Sequence, residues 1–387
     1  MSKTTKKELL EKLQKRYVNG GLEHRKKLIN QAVELMGYHR KSAIRALAAK
    51  PVAQLGFPGI MGRPTVYDRA LLLPPLKKIW LSGQQPCGKR LAAMLPDWVP
   101  AYEAYHRSLS APVREQLLQA SPATLDRFLR PCRAETGKGG QRTKPGTLLR
   151  RDIPIRGGSW HEEEPGWTEV DTVSFCGGTV RGENLWMVDN TDIFTTWVEM
   201  RAMHGRGQHA TVEQLRDMER TQPFVWQGID SDNGGEFINR HVLSWCQKDR
   251  LQPIYYTRSR PYRSNDNAHV EQKNWTHPRH WFGYERHDNP EVAPLINQLT
   301  RGELGQFVNL FTSSMKLERK EAREGIPEHR VYGRPATPYA RVLGSAFIAS
   351  AKKEELRALK KSLNPFALEA SIQKQLKTIH RRRRALE

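Results

Sequence analysis

Cysteine is scarce in this sequence of 387 residues. The four cysteines lie at scattered positions: Cys87, Cys132, Cys176 and Cys246. That spacing excludes a disulfide framework and a Cys-x-x-Cys zinc site, and it predicts reduced thiols. The opening residues form no apolar signal-peptide core, and no run of about 18 apolar residues occurs, so no membrane span is predicted. We therefore expect a cytoplasmic protein with no membrane partner.

Acidic residues are also few: 41 Asp and Glu stand against 63 Lys and Arg, a formal net charge of +22. Such an excess favours a polyanion through phosphate contacts and counterion release. The charge is unevenly spread, because residues 1–50 carry 13 basic and 4 acidic residues, 351–387 carry 11 and 4, and 161–290 carry 14 and 20. Basic flanks suit nucleic acid, and an acidic centre suits cations. A ribosomal or merely soluble basic protein is the alternative.

The first 50 residues predict a helix-turn-helix DNA-binding domain. Helices are expected over three segments: 3–17, 23–36 and about 39–50. Gly37 separates the last two, and the final helix of such a motif enters the major groove. The candidate DNA-binding residues on the outward face of that helix are Arg40, Lys41 and Arg45. The alternative is a charged face that is only solvated.

The rest of the chain divides by composition into further predicted segments. They are a Pro- and Gly-rich linker at 51–67, a second helical module at 68–132, a basic Gly-rich linker at 133–159, a catalytic core at 160–290, and a post-core region with a basic helical tail at 291–387. The second helical module either binds DNA or is a purely structural bundle. The tail contains His-Arg-Arg-Arg-Arg, which either grips phosphates or is disordered.

The predicted core alternates strands and helices. Apolar strands are expected at 167–175, 183–189, 194–201, 223–230 and 252–257. Helices are expected at about 209–221, 236–249 and 266–277. Three early strands followed by alternating helices and strands indicate an α/β domain with a mixed sheet, and this pattern alone allows several α/β folds.

Three acidic residues stand in contexts that suit metal-binding carboxylates. Asp171 lies inside the apolar strand Trp-Thr-Glu-Val-Asp-Thr-Val, where a charge needs a partner. Asp232 lies where a later strand runs into Asn-Gly-Gly, and Asp230, on the same face of the extended chain, is its rival. Glu271 lies on a polar predicted helix. Carboxylates that converge need a cation, and oxygen ligands favour a hard divalent ion.

The order Asp, Asp, Glu in these contexts resembles the DDE transposases and retroviral-type integrases. The stretches that begin at Leu304 and at Tyr332 also resemble the region after the core in bacterial insertion-sequence transposases. The resemblance implies an RNase H-like core with a mixed five-stranded sheet and helices on both faces. It favours Asp232, because these families use the Asp directly before Asn-Gly. The His-His-Cys-Cys zinc module of retroviral integrases has no counterpart in this sequence.

The resemblance also implies an activity. Asp171, Asp232 and Glu271 would be the catalytic residues and would bind Mg²⁺ or Mn²⁺, as two ions. The expected reaction is metal-dependent cleavage of element ends and strand transfer into target DNA, by a homo-oligomer on double-stranded DNA that is associated with the nucleoid. Two alternatives remain open: a catalytically inactive sequence-specific DNA-binding protein derived from a transposase, and an RNase H-like nuclease that cuts without joining.

Overall fold

The computed structural model describes residues 3–49, 67–133, 163–179, 181–231, 236–237, 239–258, 277–323 and 326–384. By its contacts the chain separates into two compact units, Met1–Val66 and Tyr67–Glu387. The two predicted linkers fall largely outside the described residues, as does most of the predicted helix at 266–277. None of the described helices is both long enough and apolar enough to cross a membrane.

The first unit is a three-helix domain. Its helices are α1 (Lys3–Asn19), α2 (Leu22–Met36) and α3 (Arg40–Ala48). Their apolar sides meet in a small core: Leu13, Leu28, Ile29, Ala32, Met36, Ala43 and Leu47. Gly37 ends α2 at φ +68°, a conformation that glycine adopts without steric cost, and its N–H donates to the carbonyl of Val33. The predicted helical N-terminal region is therefore confirmed.

The second unit begins with four helices: α4 (Arg69–Ser82), α5 (Gly88–Tyr105), α6 (Ala111–Gln119) and α7 (Pro122–Arg133). The Asp68 side chain caps α4 by accepting from the backbone N–H groups of Ala70 and Leu71. Trp80 and Trp98 are almost completely buried where these helices pack together. Large aromatic side chains of this kind contribute most of the apolar area in such a core.

A five-stranded sheet follows. Its strands are β1 (Trp167–Ser174), β2 (Leu185–Asp192), β3 (Val198–His204), β4 (Gly228–Ser231) and β5 (Tyr255–Arg258), in the order β3-β2-β1-β4-β5. β1, β2 and β3 are antiparallel to one another, whereas β1, β4 and β5 are parallel. This order and these directions are those of the RNase H-like fold, so the predicted mixed five-stranded sheet is confirmed.

Helices cover both faces of the sheet because apolar side chains alternate along the strands. On one face Val170, Val188 and Ile229 pack with the residues of α8 (Gln208–Thr221) and α9 (Arg240–Gln247). On the other face Val173, Met187 and Met200 join the core that includes α11 (Val292–Arg301). A short helix, α10 (Pro278–Phe282), precedes α11.

Seven further described elements follow α11 along the chain. They are α12 (Glu303–Gln306), a π-helix (Phe307–Phe311), β6 (Leu317–Arg323), β7 (Ile326–Tyr332), α13 (Pro338–Gly344), α14 (Ser350–Ser362) and α15 (Pro365–Arg382). The Trp98 indole N–H of α5 donates to the carbonyl of Phe311 at 3.1 Å, and Phe366 of α15 contacts the same indole. One hydrophobic core therefore runs from α4–α7 through the sheet to α15.

Candidate functional site

Asp171 occupies the middle of the central strand β1. Its side chain is half-buried, and the backbone N–H of Thr172 donates to its Oδ1 at 2.7 Å. β1 has β2 on one side and β4 on the other, so neighbouring strands bring further residues to the same face. The sequence-based placement of Asp171 inside a strand is therefore confirmed.

Asp189 of β2 is the cross-strand partner of Asp171. Residues directly opposite in an antiparallel pair point to the same face, with Cβ atoms about 4.5–5.5 Å apart. The Asp189 side chain is fully buried. The sequence analysis missed Asp189, although it stands in the apolar run Leu-Trp-Met-Val-Asp and carries the same signal as Asp171, a charged residue inside a strand.

Two more carboxylates lie on this face, one pleat earlier. Glu169 of β1 and Asp230 of β4 are register partners in the parallel pair, and both are fully buried. The Thr257 hydroxyl of β5 donates to Asp230 Oδ1 at 2.5 Å. The face therefore concentrates four described carboxylates on three adjacent strands. A cation offsets the repulsion among such groups.

The chain on either side of residues 232–235 is tied to β1. Before the gap, Ser231 pairs with Val170 in the parallel register. After it, the next described residue is Glu236, whose Oε1 accepts from the Thr172 hydroxyl at 2.6 Å. Val170 and Thr172 are the two neighbours of Asp171, so both ends of this short segment are fixed next to it. Asp232 itself lies outside the described residues.

The described carboxylates on this face offer oxygen ligands, which suit a hard divalent cation such as Mg²⁺. Among the described residues, no group of three or more His, Cys, Asp or Glu side chains is placed to hold a metal ion. Two of the three sequence-predicted ligands, Asp232 and Glu271, fall outside those residues. Asp171 is thus the one predicted ligand with a described position.

The predicted DNA-binding residues lie on α3 of the first unit. Arg40, Lys41 and Arg45 are all exposed. The Arg40 guanidinium donates to Asn30 Oδ1 of α2 at 2.7 Å, which holds that side chain against the preceding helix. Lys41 and Arg45 lie one helical turn apart on an outward face that also carries the part-exposed Ile44.

No protein-family model matches the chain. The catalytic core domain of BIV integrase is similar at 14% identity, with a TM-score of 0.25, over 44% of this chain and 91% of that one. A simian T-cell lymphotropic virus intasome in complex with PP2A regulatory subunit B56 gamma is similar at 16% identity, with a TM-score of 0.30, over 60% of this chain and 78% of that one.

A much stronger similarity is to a bacterial sequence, the uncharacterized protein y4rM of Sinorhizobium fredii. The two sequences are 34% identical over 350 residues, which is 88% of this chain and 96% of that protein. Identity of this degree over nearly the whole of both chains shows that the protein belongs to the y4rM family.

Proposed function

We propose that the protein is a DDE-type transposase or integrase that cuts the ends of a mobile element and joins them to target DNA. The observation that carries the proposal is the position of Asp171. It lies on the central strand of an RNase H-like sheet, within an acidic face, and between the two residues of β1 that hold the ends of the Asp232 segment.

Asp232 is the proposed second metal ligand. Asp230 pairs with Glu169, and Ser231 pairs with Val170. Asp232 follows Ser231 in the sequence, just as Asp171 follows Val170. Asp230 by contrast is buried one pleat away and accepts from Thr257. Glu271 is the proposed third ligand, on the sequence pattern alone.

The chain's own groups hold the reacting centre. The Thr172 N–H fixes the Asp171 carboxylate, and the buried Asp189 beside it adds negative charge that favours cation binding. Two bound Mg²⁺ or Mn²⁺ ions would supply activation of the attacking oxygen and stabilisation of the leaving one. Water first attacks the phosphorus of a phosphodiester at the element end and displaces its 3′-oxygen. The freed 3′-hydroxyl then attacks a phosphodiester of the target DNA and displaces the 3′-oxygen there. Neither displacement needs a covalent protein–DNA intermediate.

Binding of DNA is assigned first to α3. Lys41 and Arg45 present cations from the exposed face of a helix that follows the three-residue turn at Gly37, which supports a helix-turn-helix. The net charge of +22 adds non-specific attraction to phosphates. Pairing of two element ends would require a homo-oligomer on DNA, and the site of action would be the nucleoid.

The test is an incubation of the purified protein with a supercoiled plasmid that carries its own gene and the natural flanking sequence. Nicks at fixed positions and joined products, formed with Mg²⁺ or Mn²⁺ and absent with EDTA, are expected. Cleavage without joined products would favour the RNase H-like nuclease instead. Sequence-specific binding with no cleavage under any metal would favour the inactive DNA-binding protein.

A further inference from the structure

The arginine run near the end of the sequence forms the end of a docked helix. α15 extends through Arg382, and its last carbonyls are capped by the loop that precedes α11. The backbone N–H groups of Asp288 and Asn289 donate to the carbonyl of Arg383 at 3.0 and 3.2 Å, and the Asn289 amide donates to that of Arg382 at 2.9 Å. These bonds hold the backbone of Arg382 and Arg383 in place, and this fixes the position from which the arginine side chains extend.

This loop in turn is bonded to the far end of β1. The His287 N–H donates to the carbonyl of Phe175 at 3.0 Å, and the Leu185 N–H donates to the carbonyl of His287 at 2.7 Å. Phe175 lies four residues beyond Asp171 on the same side of the chain. At about 3.3 Å per residue, the two are about 13 Å apart along the strand. The end of α15 therefore lies beyond the candidate active site, on the side toward which β1 runs.

Six arginines gather at this place, and we call them the arginine patch: Arg279, Arg286, Arg381, Arg382, Arg383 and Arg384. Two carboxylates lie among them, Glu285, which pairs with Arg383, and Asp288, which pairs with Arg286. The patch thus has an excess of four positive charges. Such an excess in one small area attracts a polyanion.

The members of the patch differ in what holds them. Arg286 donates to the carbonyls of Thr179 and Glu183 at 3.2 and 2.8 Å, and Arg279 lies over the ring of Tyr284 at 4.9 Å. Both are fixed by the protein itself. Arg381, Arg382 and Arg384 are exposed, and none of them forms an ion pair within the described part of the chain. These three are the cations available to a ligand.

We propose that the arginine patch binds backbone phosphates of double-stranded DNA a few nucleotides away from the phosphodiester at the candidate active site. The assignment of DNA as the partner rests on the proposed function. Successive phosphates of one strand of duplex DNA advance about 3.4 Å along the axis, so about 13 Å corresponds to roughly four nucleotides. Anchored arginines spaced along a helix end match a fixed phosphate path better than a mobile tail does, because less side-chain and backbone freedom is lost on binding.

The experiment measures how the affinity for a fluorescein-labelled linear DNA duplex depends on salt. Each phosphate contact contributes about 0.9 to the slope of log K against log salt concentration. The double variant Arg381→Gln, Arg382→Gln is expected to lower the magnitude of the slope by about 1.8. The matched control is Arg220→Gln, Lys248→Gln, which removes two exposed cations from α8 and just after α9, on the opposite face of the sheet. It is expected to leave the slope nearly unchanged.

Two results would overturn the proposal. Equal changes of slope in the two double variants would mean that the patch acts only through its net charge. An unchanged slope in the patch variant would mean that the patch does not contact DNA. Circular dichroism checks that each variant is folded. If the double variant unfolds, Arg384→Gln, beyond the last helical residue, replaces it, with an expected change of about 0.9. The plasmid assay separates the two proposals. If the wild-type protein cleaves the plasmid but the patch variant keeps the wild-type slope, only the arginine-patch proposal fails. If the patch variant has a smaller slope but the wild-type protein does not cleave, only the proposed cleavage activity fails.

Discussion

At the scale of single residues, burial decides which charges the second unit tolerates. Asp189, Glu169 and Asp230 are fully buried on the face that carries Asp171, where desolvation penalises every carboxylate. His287, whose backbone bonds to Phe175 just beyond the end of β1, is the opposite case, a buried base. Burial lowers the pKa of His287 from its ordinary value to about 4, and the charge of Arg383 acts in the same direction, as does His380 when it is protonated.

The His287 titration predicts a specific loss of stability in acid. Because its folded pKa is depressed, its contribution is fully present above the unfolded pKa of about 6.5 and is lost as the pH falls toward 4. The loss amounts to about 1.4 kcal/mol per pH unit, or about 3 kcal/mol in total. Urea unfolding at several pH values should show that His287→Gln lacks this loss, so that the stability gap between wild type and variant narrows from pH 7 to pH 4.

The comparison with a variant is needed because Asp192 titrates in the opposite sense. Burial raises the pKa of Asp192 to about 6, although Thr195 and Gly166 donate to its carboxylate. Its folded form binds the proton more tightly, so this group lowers stability as the pH rises from about 4 to about 6. A gap between wild type and His287→Gln that stays constant with pH would show that His287 does not titrate in that window.

At the scale of elements, local pattern predicted most of the helices and strands, and local side-chain chemistry explains the misses. The third strand was predicted at 194–201 but runs Val198–His204. Asp192 accepts from the Thr195 N–H and hydroxyl, and these bonds form a turn from residues whose β-branched and aromatic character favours a strand. The fourth strand is shorter than predicted, Gly228–Ser231.

Asp171 was predicted as a site residue and Asp189 was not, and strand register explains the difference. A charged residue inside an apolar strand can be recognised from a single sequence, and both residues show that pattern. Which strands become neighbours, and which residues face each other, is decided by tertiary pairing. Glu236 illustrates the same limit, because its bond to Thr172 joins residues 64 positions apart.

α3 carries the proposed DNA contacts of the first unit, Lys41 and Arg45. The variant Lys41→Ala, Arg45→Ala should lower the magnitude of the salt slope for duplex DNA by about 1.8, since two phosphate contacts would be lost. The control variant Lys12→Ala, Lys15→Ala removes two exposed cations from α1. Fluorescence anisotropy of the full chain measures both. Equal slopes for the α3 variant and the wild type would show that α3 does not contact DNA.

At the scale of the whole molecule, α4–α7 belong to the same hydrophobic core as the sheet and α15. Composition and periodicity predicted helices at 68–132, yet they could not show which distant segments those helices would bury. Trp98 links the parts, because its ring packs against Phe307 and Phe366 and its N–H bonds to Phe311. Whether these helices also contact DNA stays a prediction.

Trp98→Ala should therefore destabilise the second unit as a whole. Removing a buried Trp costs about 3–5 kcal/mol through lost apolar burial and a residual cavity. Urea unfolding followed by circular dichroism should show one transition for helices and sheet, shifted to lower urea. Leu251→Ala, at a fully exposed position, should change stability by less than about 0.5 kcal/mol. An early transition confined to the helices would contradict the shared core.

We propose that Asp171, Asp232 and Glu271 together hold the metal ions for phosphoryl transfer, and plasmid nicking by single variants is the direct test of this assignment. Asp171→Asn, Asp232→Asn and Glu271→Gln should each lower the Mn²⁺-dependent rate at least about 100-fold. Glu213→Gln, exposed on α8, should retain the wild-type rate. Full activity in Asp171→Asn would exclude Asp171 as a metal ligand. Full activity in Asp232→Asn with loss in Asp230→Asn would identify Asp230 as the second ligand.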